Sequence, residues 1–438
     1  MKKYYIYSII VLMIFIIFIN FILKLKNEYS LNNIIKTNED FNFFVAADTH
    51  FLSKKMYDDG EAFQNLFQAD DKLTFYSVEL FESLIENIKL HKPEFVIFLG
   101  DLTFSGSKQS HVDFAKKLTE IENDGINVFV IPGNHDIMNK NAKYFFQDKT
   151  YSAEIITKEH FLNIYNEFGY KDALLKDSSS LSYLAAPSEN IWFLMLDTTM
   201  EYPKTGGYIK ETTLNWIEEC YKLSINNNVK LIAVMHHSLI DHSKIINEDY
   251  TITNSKEAIE IFNKCNINLV LTGHIHIQDI KTLKIKDYIL YDIATSSLCV
   301  YPHQFGKIYY TKKNGFKYIT EKLNMKQYAL NNNIKDENLI DFENYSAEFF
   351  KDKCCKNQKK CILELSELNK KEKDELFKVV SELNKLYFSG YRNGSLNYIK
   401  EMEGFKILYN LPDCPVKKYA MSILEDEITN NNIIYIRE

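Results

Sequence analysis

Residues 95–101 read FVIFLGD, five apolar residues running directly into Gly100 and Asp101. A run of strand length that is continuous rather than alternating fits a strand covered on both faces. The same arrangement recurs on either side: FFVAADTH at 43–50, VFVIPGNHD at 128–136, LIAVMHH at 231–237 and LVLTGHIH at 269–276. A further run, WFLML at 192–196, is followed by Asp197 without a motif partner. Helical periodicity fills several of the gaps, at Val78 to Leu90, Val112 to Asn123, Leu214 to Leu223 and Lys256 to Lys264, the last with Ser255 as N-cap. Strands alternating with helices predict a layered α/β domain with helices on its outer faces.

Polar residues fall at the strand ends: Asp48 and His50, then Asp101, then Asn134, His135 and Asp136, then His236 and His237, then His274 and His276. In an open α/β sheet the crevice beyond the C-terminal ends of the strands is where ligands bind, so five separate segments are expected to converge. Imidazole nitrogens with hard oxygens, and no cysteine, suit zinc, manganese, iron or nickel rather than an iron–sulfur cluster or a calcium cage. Asp48, His50, Asp101, Asn134, His236, His274 and His276 are too many ligands for one tetrahedral ion. They fit two ions that share a carboxylate. Gly100, Gly133 and Gly273 precede these turns, where the chain must swing sharply off its strand.

The 438-residue chain is long enough for a catalytic domain and an appendage. Its 46% hydrophobic and 25% charged residues are ordinary for a globular protein, and a net charge of −7 argues against a broad nucleic-acid surface. From Tyr4 to Leu23 the sequence is uncharged and apolar, and 20 helical residues reach about 30 Å, a bilayer's hydrocarbon thickness. No small-residue cleavage site follows, so residues 1–26 are expected to be a single-pass transmembrane anchor and 27–40 a polar linker. Lys2 and Lys3 balance Lys24 and Lys26, so flanking charge leaves topology open; the short N-terminal tail favours an extracytoplasmic catalytic domain. Residues 41–323 then form that domain, with 139–187 as an excursion over the site and Gly306 and Gly315 as turn signals among later strands. Residues 324–438 are expected to be a separate helical domain, with patterns at Asn344 to Lys351, Lys370 to Leu386, Leu396 to Glu401 and Val416 to Thr429. Cys220, Cys265 and Cys299 read as buried residues, while Cys354, Cys355, Cys361 and Cys414 allow three disulfide connectivities and choose none.

The set Asp48-x-His50, Gly100-Asp101, Gly133-Asn134-His135-Asp136, His236 and Gly273-His274-x-His276 resembles the calcineurin-like metallophosphoesterase superfamily over residues 43 to about 310. The Met235-His236-His237 step and the Gly-His-x-His ending are similar to its bacterial class III cyclic-nucleotide phosphodiesterase branch. The resemblance implies a four-layer sandwich of two mixed sheets flanked by helices. It also implies one metal on Asp48, His50 and His276, a second on Asn134, His236 and His274, and Asp101 as bridge. Manganese, iron or zinc would serve. Two cations lower the pKa of a shared water towards about 7, so a bridging hydroxide is expected to attack phosphorus. His135 is the candidate to hold phosphate and protonate the leaving alkoxide, with Asp136 orienting it. His237 could replace His236 as ligand or meet substrate. His91, His111, His160, His242 and His303 read as surface or satisfied structural residues.

The substrate is expected to be a small phosphodiester such as a 3',5'-cyclic nucleotide. A phosphomonoesterase or nucleotide-linked pyrophosphatase is the alternative enzyme, because the metals do not choose the leaving group. A non-catalytic binding protein on the same fold is the alternative outside enzymes. Against it, no expected ligand is missing.

Overall fold

The computed structural model describes residues 40–353, 355–390, 395–425 and 430–437. The strands are β1 (Phe41–Ala46), β2 (Phe95–Phe98), β3 (Asn127–Val130), β4 (Lys143–Phe146), β5 (Lys149–Ser152), β6 (Leu175–Lys176), β7 (Tyr183–Ala185) and β8 (Ile191–Leu196). They continue with β9 (Lys230–Met235), β10 (Leu269–Thr272), β11 (Asp279–Ile285), β12 (Tyr288–Ala294), β13 (Gln304–Thr311), β14 (Gly315–Lys322) and β15 (Ile433–Ile436). One sheet has the order β15-β14-β13-β1-β2-β3 and the other β11-β12-β10-β9-β8-β7-β6, while β4 and β5 pair as a hairpin. Both sheets are mixed. In the first, β1, β2 and β3 are parallel; in the second, β8, β9, β10 and β12 are parallel.

The continuous apolar runs follow from burial on both faces. Helices α1 (Ser77–His91) and α2 (Lys108–Glu122) flank the first sheet and α3 (Glu211–Asn226) and α4 (Ser255–Lys264) the second; along β8, Trp192, Leu194 and Leu196 point away from the other sheet and pack with Trp216, Ile217 and Cys220 of α3 and Ala258 and Phe262 of α4. The alternate residue Phe193 points between the sheets, 5.3 Å from the ring of Phe43 and 5.7 Å from that of Phe95. On the far side of the first sheet, Phe98 meets Phe81 of α1 at 5.6 Å and Phe114 of α2 at 5.7 Å. The result is helix, sheet, sheet, helix. Each large side chain so buried contributes about 1.5–3 kcal/mol before conformational entropy is subtracted.

Between Met325 and Leu424 the described residues are mainly helical, the longest helix among them being α5 (Lys370–Ser389). A capping box of Asn369 and Glu372 starts α5, and Gly390 in the left-handed region ends it. Leu376, Val379, Leu383, Leu408 and Val416 form a core that also takes in Ile275 and Ile277, from the segment after β10. The chain then returns as β15 to the edge of the first sheet. Its short run IIYI carries too little pattern to be read as a strand beforehand.

Three expectations are corrected. The membrane-anchored, extracytoplasmic placement is withdrawn: among the described residues no helix is long and apolar enough to cross a membrane. The segment Tyr4 to Leu23 lies outside the described residues. The stretch 139–187 is not only an excursion, since β6 and β7 extend the second sheet and Phe161, Tyr165, Tyr170 and Tyr183 are buried in the main core. Gly306 lies within β13, under the ring of Tyr318, rather than in a turn.

Candidate metal centre

The parallel strands release their chains side by side, and the first residues beyond them stay in step. Asp48 N donates to Gly100 O at 3.2 Å, His50 N to Asp101 O at 3.0 Å, and Gly273 N to His236 O at 3.0 Å. The backbone then turns abruptly. Asp48, His50, Asp101, His274 and His276 have φ of 52°, 40°, 46°, 65° and 61°. For non-glycine residues this left-handed region costs of order 1–3 kcal/mol each and persists only where surrounding structure enforces it. Space is equally constrained: a Cβ on Gly133 would stand 2.2 Å from Asp101 N and Oδ1, and one on Gly100, at φ 87°, 2.6 Å from His236 Nδ1.

These turns bring the side chains together in two overlapping groups. In one, His50 Nε2 lies 3.2 Å from His276 Nε2, and His276 Nε2 lies 3.4 Å from Asp48 Oδ1. In the other, His236 Nε2 lies 3.0 Å from Asn134 Oδ1 and 3.4 Å from Asp101 Oδ1. The ring of His274 is centred 4.9 Å from that of His236. Asp101 stands between the groups, its Oδ2 3.9 Å from His50 Nε2 and also 3.9 Å from His135 Nε2. Sets of donor atoms from Asp48, His50 and His276, from His50, Asp101 and His135, and from Asp48, Asp101 and His236 each lie within 4.8 Å of one another.

Asp48 Oδ1 is buried without a hydrogen-bond partner, and the paired imidazole nitrogens of His50 and His276 face each other beside it. An orphaned carboxylate oxygen among imidazole lone pairs is costly unless a cation completes it. The donor set therefore fits metal ions. Supporting bonds orient the ligands: Leu99 O accepts from His236 Nδ1 at 2.8 Å, Asp249 O from His274 Nε2 at 3.0 Å, and Asp48 Oδ2 from His274 N at 2.9 Å. Such outer bonds set which imidazole nitrogen remains free.

The charge field has the same layout. Burial, with the charge of Lys72 added, holds His50 well below the usual histidine value against the pull of Asp101. Burial would raise Asp101, yet His236, His135 and His50 hold it well below the carboxylate range. Burial would lower His236, but Asp101 lifts it to about 9. Burial, then the neighbouring His237 and His236, holds His274 well below the usual value.

All seven expected ligands are thus in one place, and His135 is beside them, one-third exposed at its side chain. Its Nδ1 is 2.9 Å from Phe104 O, so Nδ1–H donates to that carbonyl and Nε2 is the nitrogen left to the cavity. Two expectations change. Asp136 does not orient the His135 ring; it is fully buried and accepts from the backbone N–H groups of Leu102, Thr103 and Gly133 at 3.1, 3.0 and 2.9 Å, tying together the turns after β2 and β3. His237 is not placed to meet substrate. It is fully buried, with Nδ1 2.8 Å from Thr198 Oγ1 and Nε2 2.9 Å from Thr205 O, and burial lowers its pKa to about 3. A neutral ring committed at both nitrogens has none left to offer.

A cavity of about 410 Å³ opens on the cluster. Its wall includes Lys72, Tyr250 and Phe388, none of which the sequence singles out. They sit in segments without strand or ligand pattern and arrive by tertiary packing. Among the histidines read as structural, His111 is buried with both nitrogens partnered, and His242 lies between Asp279 Oδ2 at 3.0 Å and Asp292 Oδ1 at 3.4 Å.

Comparison with known proteins finds matches over both parts of the chain. Residues 41–278 match the family model for calcineurin-like phosphoesterase, and residues 324–430 that for the C-terminal domain of cyclic nucleotide phosphodiesterase. A 3',5'-cyclic adenosine monophosphate phosphodiesterase of Haemophilus influenzae is 24% identical over 200 residues, 45% of this chain and 60% of its own length. A 3',5'-cyclic-nucleotide phosphodiesterase of Nostoc is 24% identical over 203 residues, 46% of this chain and 63% of its own. The chain therefore spans somewhat less than two thirds of either relative. A dimetal phosphatase structure from Danio rerio is 13% identical with a TM-score of 0.44, over 64% of this chain and 95% of its own.

Proposed function

The chain belongs to the calcineurin-like phosphoesterase family, and from that premise we propose that it is a dinuclear metal-dependent phosphodiesterase acting on a small phosphodiester such as a 3',5'-cyclic nucleotide. The observation that carries this reading is the unpartnered Asp48 Oδ1 beside the facing nitrogens of His50 and His276. In it, Asp48, His50 and His276 would hold one ion, Asn134, His236 and His274 would hold the other, and Asp101 would serve both. Manganese, iron or zinc suits these donors. When bound, the pair supplies the positive charge that lowers the pKa of water and neutralises phosphoryl oxygens.

The remaining roles belong to the chain. Asp101 keeps its charge among the surrounding imidazoles and is available as bridge. His135, held at Nδ1 by the Phe104 carbonyl, presents Nε2 to the cavity; as the imidazolium it would pass its Nε2 proton to the departing alkoxide oxygen and be left as the neutral Nδ1–H ring. Asp136 and His237 act through others: the first keeps the turns after β2 and β3 in register, and the second braces the residue before it against Thr198 and Thr205.

The test is an assay of the manganese-loaded full chain on bis-p-nitrophenyl phosphate and p-nitrophenyl phosphate. Diester turnover exceeding monoester turnover is expected. Turnover of the monoester alone would sink the diesterase reading.

A further inference from the structure

The segment carrying His274 and His276 has two sides. His274 and His276 join the metal-ligating cluster, while Ile275 and Ile277, only 7% and 2% exposed, belong to the core of the C-terminal helices. The end of α5 is fastened to the same segment: Gln278 N donates to Phe388 O at 3.0 Å. Gly390, at φ 68°, approaches so closely that a Cβ there would stand 2.9 Å from Gln278 Cγ. The C-terminal helices are thus built against the site. Phe388, half-buried, lines the cavity in front of it.

Three features of that cavity bear on what enters it. Lys72, whose side chain is 15% exposed and paired to Asp71 at 3.2 Å, puts a cation on the wall. Tyr250, also half-buried, has its ring centred 5.2 Å from that of His274. Phe388 adds a second aromatic ring, set 4.9 Å from Phe350 behind it. A phosphate-directed cluster with a cation and two aromatic rings on one cavity matches a phosphoester that carries a planar ring. The plain alternative is that Phe388 merely finishes the packing of α5 on Phe350, and the two readings predict different kinetics.

We infer that Phe388, supplied by the C-terminal helices, is a specificity-determining residue that stacks on a planar ring in the ester group of the substrate, with Tyr250 lining the same cavity. This rests on the phosphodiesterase reading. It makes the C-terminal helices part of the substrate site rather than a separate module.

The test compares p-nitrophenyl thymidine 5'-phosphate with methyl p-nitrophenyl phosphate on the manganese-loaded full chain; the two share the leaving group and differ in whether the other ester arm bears a base. Wild type is expected to prefer the thymidyl ester. Phe388→Leu, which keeps apolar volume against Phe350, is expected to raise KM for that ester about tenfold with kcat within about twofold, and so to lower the preference about tenfold. Phe388→Tyr restores it. Thymidine 5'-monophosphate binding, followed by calorimetry, weakens and recovers in parallel. Equal losses on both esters in Phe388→Leu, or a preference that survives it, would overturn the inference, as would a wild type that hydrolyses both without preference. Those outcomes leave the phosphodiesterase reading standing, whereas failure of wild type to hydrolyse either ester sinks both.

Discussion

His135 and Asp101 show how much a single residue's bonds decide. His135 donates from Nδ1 to the Phe104 carbonyl, while its backbone N–H bonds Asp101 Oδ1 at 2.9 Å, so its ring is held over the cluster by a backbone carbonyl and by the carboxylate proposed as bridge. A proton from Nε2 matters most when the leaving group is a poor one. His135→Ala is therefore expected to lower kcat about 100-fold on a 3',5'-cyclic nucleotide, whose alkoxide needs protonation, and much less on bis-p-nitrophenyl phosphate. Steady-state kinetics with metal content measured in parallel checks this, and equal losses on both substrates would assign His135 another role. At this scale the clustered set was legible, because each residue follows an apolar run by one to five positions and strand ends of a parallel sheet converge. The roles of Asp136 and His237 were not legible, since adjacency in sequence does not say which way a side chain points after a left-handed turn. Lys72, Tyr250 and Phe388 were invisible for a related reason: no local periodicity marks a residue that reaches a cavity from a loop or a helix end.

Among the elements, the segment after β10 carries the most consequence, because it serves two cores at once. Its histidines belong to the site and its isoleucines to the C-terminal helices. Ile277→Ala leaves a cavity at a position only 2% exposed and is expected to cost about 2–5 kcal/mol. It should also weaken manganese binding, because His276 loses the packing that holds its turn. A thermal melt combined with a manganese titration tests this; a lowered Tm with unchanged manganese affinity would separate packing from the site. The helices themselves were legible from periodicity, as Lys370 to Leu386 became Lys370–Ser389 and Val78 to Leu90 became Ser77–His91. What periodicity could not supply was where they dock. Ile275 and Ile277 read as filler between two histidines until the helical core beside them is seen. In the same way, Phe161, Tyr165 and Tyr170 in the supposed excursion are core residues whose irregular spacing hid them.

Across the whole molecule, a buried ion cluster ties the loop after β9 to β11, β12 and α5. His242 stands 3.0 Å from Asp279 and 3.4 Å from Asp292, Lys281 is 3.3 Å from Asp279, and Tyr387 Oη bonds His242 O at 3.4 Å. Burial would lower His242, but Asp292 and Asp279 raise it to about 9. A histidine whose folded pKa lies above its unfolded value, about 6.5, adds stability that is full below that value and is lost as pH rises through about 9. Melts from pH 6 to 10 are expected to show that decline, and His242→Asn to flatten it; an unchanged slope would remove His242 as its source. Two mixed sheets with helices outside were foreseeable from alternation and from the family resemblance, whereas β15 was not, because four residues after a break carry no period. The measurement that bears most directly on the central claim is metal stoichiometry of the full chain by mass spectrometry after manganese loading. Two ions per chain are predicted, with Asp101→Asn losing occupancy at both sites because one carboxylate serves both. A single ion per chain, or two ions retained by Asp101→Asn, would contradict it.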